Sequence, residues 1–215
     1  MLNVKNTIFI FLLMFLVVGC ATQEPVMEED LNNEQQAEEN LELPEVVASV
    51  NGDQITSDEV FMLSNEMQMY GMEPTLDELV EQLISQRLLM QTVNELDYQF
   101  TTDDVENYFV DMGVELDEIK TEVENQGLIY EEFLVDYIDE LKFTQFLFEV
   151  QQNVEVTEEE MLEFYEDQKE FLDENLTYED IQEEIYNFFL EQRSNEIITF
   201  LISERAEESD IQIYY

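Results

Sequence analysis

From residue 57 almost to its end, this chain places apolar residues three and four positions apart, the spacing of one helix face. This pattern is typical of packed amphipathic helices, so the chain is expected to fold as a mainly α protein. Helices are predicted over 57–70, 75 to about 96, from 102 onward, 115–125, 130 to about 152, 158 to about 171 and 177 to about 207.

Three of these helices begin with the same short pattern, an apolar residue followed by a hydroxyl side chain and then acids. The three segments are 55–59, 100–104 and 156–160. A hydroxyl oxygen can accept a hydrogen bond from a backbone N–H at a helix start, and carboxylates favour the first turn. We interpret the recurrence as repeated capping chemistry and not as a structural repeat. In the first segment, either Thr56 or Ser57 can be the capping residue.

Strand signals occur only at the two ends of the helical region. Two short apolar runs in residues 46–56 flank Asn51-Gly52, the strongest short signal for a β-hairpin because both residues tolerate positive φ. Residues 210–214 alternate and favour β structure, but a lone terminal strand needs an edge with which to pair. We therefore predict a small hairpin at about 46–56 that pairs with a C-terminal strand at about 210–214.

The N-terminus carries an apolar run over residues 8–18, preceded by Lys5 and followed by Gly19 and Cys20. The run is too short to span a bilayer and is typical of the apolar region of a signal peptide. Val17, Val18, Gly19 and Cys20 resemble the lipobox of lipoprotein signal peptides, which implies cleavage before Cys20 and a lipid on its thiol. The alternative is a short N-terminal anchor with an incidental cysteine.

The predicted domain organisation follows from these features. Residues 1–19 are a lipoprotein signal peptide, and residues 20–45 are an acidic, amide-rich flexible tether with a reach of about 25–30 Å. Residues 46–215 are one helical domain, in which the last helix and strand (177–215) pack back on the N-terminal part. Such a chain is held at the extracytoplasmic face of the cell membrane through the lipid on Cys20.

The charge balance excludes several classes of function. Asp and Glu number 54 against 7 Lys and Arg, which gives a formal net charge of −47, and there is no histidine. Binding to nucleic acid or to anionic lipid needs Lys and Arg, so neither is expected. Self-repulsion at this charge is large in dilute buffer and screened in concentrated salt. We therefore favour a protein from a halophile or from another environment of high salt concentration over an ordinary acidic surface protein.

Catalytic chemistry has little support in this sequence. There is no imidazole base, and the only thiol is that of Cys20, the predicted site of lipid attachment. Neither a glycine-rich phosphate loop nor a zinc or calcium motif is present. We expect a protein with no catalytic residue, no metal site and no cofactor.

Five segments in a fixed order resemble motifs of the SurA/PrsA family of exported chaperones, and their succession covers nearly all of 46–215. The segments are 50–56 (VNGDQIT), 79–89 (LVEQLISQRLL), 100–105 (FTTDDV), 127–133 (GLIYEEF) and 154–165, which contains VEVTEEE and ends in Phe-Tyr. The resemblance implies a helical, SurA N-terminal-like domain that binds unfolded or newly exported polypeptides.

One departure from the family pattern is large. A parvulin prolyl-isomerase domain, which relies on histidines, usually follows the last of these motifs in the family. Here residues 171–175 lead directly into 177–181, a segment that resembles the helix after the isomerase domain. The resemblance therefore implies the chaperone module without the isomerase.

Methionines and aromatic residues are the candidates for client contact, because thioether side chains repack around varied partners. Phe61 lies next to Met62 in the methionine-rich first predicted helix, and its helical spacing predicts that it faces the core. Adjacent phenylalanines at 188 and 189 cannot both face one core side of a helix, so one of them lines a cleft or the helix is buried on two sides. The alternative for the methionines is that they belong to the core or cover neighbouring helices. The candidate residues are Met62, Met67, Met69, Tyr70, Met72, Phe188 and Phe189.

Together these features predict a lipid-anchored, extracytoplasmic chaperone or holdase without isomerase activity. Its partners are unfolded or exported polypeptides, and it reaches the membrane through Cys20. The alternative is an envelope scaffold or assembly lipoprotein that uses the same fold to hold one specific protein partner.

Overall fold

The computed structural model of the protein describes residues 43–172 and 176–215. The predicted signal peptide, Cys20 and most of the predicted tether lie outside the described residues. Within the described ranges, no helix combines the length and the apolar character needed to cross a lipid bilayer.

The described residues form seven helices and three short strands, which confirms the mainly α fold class. The strands are β1 (Val46–Val50), β2 (Asp53–Thr56) and β3 (Ile211–Ile213). The helices are α1 (Ser57–Met69), α2 (Leu76–Asn94), α3 (Thr102–Asp111), α4 (Leu116–Asn125), α5 (Tyr130–Gln152), α6 (Glu158–Gln168) and α7 (Tyr178–Glu208).

The recurring helix starts are capping boxes. Thr56, Thr101 and Thr157 each accept a hydrogen bond from a backbone N–H three residues on, and the acid at that position accepts from the backbone N–H of the threonine. Thr56, and not Ser57, is therefore the cap of α1. Bonds from Thr157, with a further bond from Arg193, lower the pKa of the Glu160 carboxyl to about 2.

The described residues divide into two compact units. The first unit reaches Ile84 and includes Ile211–Tyr215, and the second unit is Ser85–Asp210, so the division falls within α2. The prediction of a single domain over 46–215 stays a prediction.

The first unit contains the three-stranded sheet, which is antiparallel in the order β2-β1-β3. Val50 pairs with Asp53 across the hairpin and with Ile211 on the other side, so the C-terminal strand pairs with β1 as predicted. Asn51 and Gly52 have φ of 55° and 92°, as the turn between β1 and β2 requires. The fully buried residues of the sheet are Val47, Ala48, Val50 and Ile55.

The second unit is built around α5, which packs against α3, α4 and α7. The α3–α5 contact is aromatic, with the Phe109 and Tyr137 ring centroids 4.7 Å apart. Ile119 of α4 and Ile198 of α7 are fully buried. In contrast, α6 packs on α7 and buries none of its residues.

Two predicted details are wrong. Phe61 does not face the core, because 52% of its surface is exposed; the core side of α1 is formed instead by Val60 and Leu63. The sixth helix ends at Gln168 and not near Phe171, since the backbone N–H of Phe171 closes a turn onto the Gln168 carbonyl (2.9 Å).

Glu140 on α5 is a partly buried carboxyl close to Tyr108 and Tyr137. Burial raises the pKa of both tyrosines, and the charge of Glu140 raises it further. Burial raises the pKa of Glu140 to about 7. At pH values between the ordinary pKa of a glutamate and about 7, Glu140 keeps its proton in the folded state and has lost it in the unfolded state. The free energy of unfolding therefore falls as the pH rises through this range. We expect Glu140→Gln to stabilise the protein by about 1 kcal/mol at pH 8, after allowance for solvent screening, and not at pH 4.5.

Urea unfolding of both proteins at pH 4.5 and pH 8 measures this difference. Asp136→Asn is the matched control, because it removes an exposed carboxylate from the same helix. A stability difference between the Glu140→Gln variant and the parent that is equal at both pH values would contradict the assignment.

Candidate binding surfaces

The first candidate surface lies on α1, which carries apolar residues on two opposite sides. Val60 and Leu63 face the core, whereas Phe61, Met62 and Met69 are 52%, 61% and 79% exposed. At 100° per residue, these three positions fall on the side of the helix opposite the core side. With the neighbouring Tyr70, which is 45% exposed, they form a surface that we call the α1 outer face.

The extent of the α1 outer face is set by the two capped ends of the helix. The Thr56 capping box starts the helix, and the chain leaves it through Gly71, whose φ is 75°. The N–H groups of Gly71 and Met72 close the helix end onto the carbonyls of Gln68 (2.9 Å) and Met67 (3.0 Å). Met67 and Met72 are half-buried at this end, so Met62 and Met69 are the two of the four predicted methionines that are exposed.

In the described part of the first unit, which carries the α1 outer face, all the charged side chains are acidic. The described part of the first unit contains no Lys, Arg or His. On the helix itself, Asp58 precedes Met62 by four positions, and Glu66 follows it by four. Partial burial raises the pKa of the Glu66 carboxyl. The carboxylates of the first unit are Glu45, Asp53, Asp58, Glu59, Glu66, Glu73, Asp77, Glu78 and Glu81.

The second candidate surface lies where α6 packs on α7, in the second unit. The Phe164 ring of α6 stacks on Phe188 (centroids 5.2 Å apart) and meets Phe189 edge-on (5.5 Å). Phe188 is 49% exposed, and Phe189 is half-buried. The two adjacent phenylalanines therefore share one partner ring, and Phe188 presents its other side to solvent. We call these three residues the aromatic cluster.

The positively charged side chain beside the aromatic cluster is paired with an acid. The Cζ atom of Arg193 lies 5.8 Å from the centroid of Phe189, and the Arg193 guanidinium pairs with Glu160. Lys169, which directly follows α6, pairs with Glu166. Further exposed apolar side chains on the same two helices are Leu162, Tyr186, Ile197 and Phe200. The surface thus combines exposed aromatic rings with an excess of carboxylates.

The sequence indicates only part of these surfaces. Helical spacing alone places Phe61 in the core, and Phe164 stands out in the sequence only as part of a motif. The spacing of Phe164 from Phe188 and Phe189 gives no sign of contact, since they lie on different helices.

A polar depression of about 450 Å³ lies beside the segment that connects α2 and α3, within the second unit. Lys142 lines it and donates hydrogen bonds to Asn94 (2.7 Å) and Asp139 (2.8 Å). No cluster of three or more His, Cys, Asp or Glu able to hold a metal ion occurs in residues 43–172 and 176–215.

Comparison with known proteins identifies the fold. No protein-family profile and no curated protein sequence matches the chain. Among solved structures, one that matches this chain belongs to a description of PEB4 and Cj1289, two structurally related SurA-like chaperones of Campylobacter jejuni. The TM-score is 0.54 at 10% sequence identity, and the match covers 80% of this chain and 99% of the other. The chain therefore has a SurA-like fold.

Proposed function

We propose that this protein is a lipid-anchored, extracytoplasmic chaperone that holds unfolded or newly exported polypeptides without prolyl isomerase activity. The α1 outer face is the observation that carries the proposal: a helix exposes Phe61, Met62 and Met69 together on its solvent side. Large apolar side chains that are exposed side by side on a protein surface commonly mark a binding site for an apolar partner. The SurA-like fold, shared with a structural neighbour described as a chaperone, agrees with this function.

The exposed area suggests that binding is weak and reversible. Covering the exposed halves of three such side chains contributes on the order of 1 kcal/mol each, before the cost of ordering the client. One surface of this size gives only transient contact. We propose that the α1 outer face and the aromatic cluster each take part, so that a long unfolded chain is held at several points.

The part of the proposal that concerns membrane attachment depends on residues that lie mostly outside the described ranges. Residues 1–19 are the signal peptide, Cys20 carries the lipid, and residues 20–45 tether the domain of residues 46–215 to the membrane. Mass spectrometry of the mature N-terminus tests it. We expect a chain that begins at a diacylated Cys20, and an unmodified Cys20 would show that the protein is not held at the membrane in this way.

The holding function is tested by suppression of aggregation of several unrelated unfolded clients. We expect the triple variant Phe61→Ser, Met62→Ser, Met69→Ser to lose most of the protection, about fivefold or more at limiting chaperone. The loss of about 3 kcal/mol of apolar contact is the physical reason. Because all three side chains face solvent, the substitutions are expected to change the free energy of unfolding little.

Val135→Ser is the matched control, since Val135 is an exposed apolar residue (58%) on α5, in the other unit. It should leave protection unchanged. If the parent protein protects no client at any ratio, the chaperone function is wrong. Tight stoichiometric binding to one protein only would instead support the scaffold alternative.

A further inference from the structure

Two carboxylates are interleaved with the apolar residues of the α1 outer face. Asp58 lies three and four positions before Phe61 and Met62, and Glu66 lies three positions before Met69. Side chains at these spacings are neighbours on a helix surface. The two carboxylates are eight residues apart, which corresponds to about 12 Å along the helix axis at 1.5 Å per residue.

No positively charged side chain in the described part of the first unit compensates these carboxylates, because it contains no Lys, Arg or His. A second copy of this chain is a poor occupant, since each copy carries a net charge of −47. Acidic client segments are repelled for the same reason. Charge complementarity therefore selects a cationic occupant, and the apolar side chains select one that is also hydrophobic.

We infer that the α1 outer face docks client segments in which apolar residues lie between Lys or Arg side chains about 12 Å apart. The inference rests on the proposed holding function and names the class of client segment that this surface takes. A helical segment places two cations at this separation with a spacing of eight residues. An extended segment does so with a spacing of four, at about 3.3 Å per residue.

The apolar and the acidic side chains of the α1 outer face contribute differently to client binding. Phe61, Met62 and Met69 supply apolar contact to any hydrophobic segment, whereas Asp58 and Glu66 distinguish between segments by charge. Glu66 is partly buried, so a cation that reaches it interacts through less water than at a fully exposed acid. Two such pairs give about tenfold discrimination in affinity.

The test uses the full-length protein and three extended peptides with one apolar core. Two flanking positions four residues apart are Lys in the first peptide, Gln in the second and Glu in the third. At low NaCl we expect the Lys peptide to bind about tenfold more tightly than the Gln peptide, and the Glu peptide most weakly. The preference should largely disappear near 1 M NaCl, where the Debye length is about 3 Å.

Two variants separate this surface from the overall charge of the protein. Glu66→Gln should reduce the preference for Lys over Gln about threefold, whereas Asp136→Asn, which also removes one charge but from α5, should leave it unchanged. Equal effects of the two variants, or equal binding of the Lys and Gln peptides, would overturn the inference and leave the holding function intact. Failure of all three peptides to bind, together with no protection of any client, would overturn both.

Discussion

Removal of residues 211–215 is expected to destabilise the protein by about 2–4 kcal/mol. These residues form β3, which pairs with β1 at Ala48, Ser49 and Val50. Beyond the strand, the Tyr214 N–H donates to the Val47 carbonyl (2.9 Å), and the Tyr214 hydroxyl bonds the Ser49 hydroxyl (2.9 Å). Each lost bond costs about 1 kcal/mol, and more where a buried backbone group is left unpaired.

Urea unfolding and hydrogen exchange of the β1 amides measure this effect. Deletion of Tyr215 alone is the graded control, because it removes one side-chain bond, from its hydroxyl to Asp77 (2.9 Å). That deletion should cost less than about 1 kcal/mol. If the five-residue deletion leaves both stability and amide protection of β1 unchanged, the pairing of the two chain ends contributes nothing to the fold.

The free energy of unfolding is expected to rise by about 3 kcal/mol between 0.05 M and 1 M NaCl, which is about 10 °C in melting temperature. The cause is the repulsion within a chain of net charge −47 that has only 7 Lys and Arg to offset it. Salt shortens the Debye length from above 10 Å to about 3 Å and so screens the repulsion.

Thermal melts across a series of NaCl concentrations measure this rise. Screening acts mainly at the lower concentrations, whereas the strengthening of apolar burial by salt grows at high concentration. Most of the gain should therefore occur below about 0.3 M. A melting temperature that does not change over this range would show that the folded protein does not need salt to screen its net charge. The prediction of an environment of high salt concentration would then be wrong.

Most of the secondary structure could be predicted from the sequence, because its signals are local. Capping threonines such as Thr101 and Thr157 specify helix starts through bonds to residues only three positions away. The Asn51-Gly52 turn is equally local. The pairing of β3 could also be predicted, since only one other strand signal offered an edge.

The surfaces were harder to predict because helical spacing shows which residues share a face but not which face is covered. Phe61 and Met69 share one side of α1 with Met62, while Val60 and Leu63 share the other, and both sides are apolar. Only the packing of the first unit decides that the second side is buried. For the same reason the contact of Phe164 with Phe188 depends on how α6 lies on α7, which no local pattern encodes.

The central claim is that unfolded chains bind at the α1 outer face. The most direct measurement is photocrosslinking from a benzophenone side chain in place of Met62, with the same probe in place of Val135 as the control. Both positions are exposed to a similar degree, 61% and 58%, so collision alone should label them equally. We expect several unrelated unfolded clients to crosslink strongly from position 62 and weakly from position 135. Equal yields from the two positions, or none from position 62, would contradict the claim.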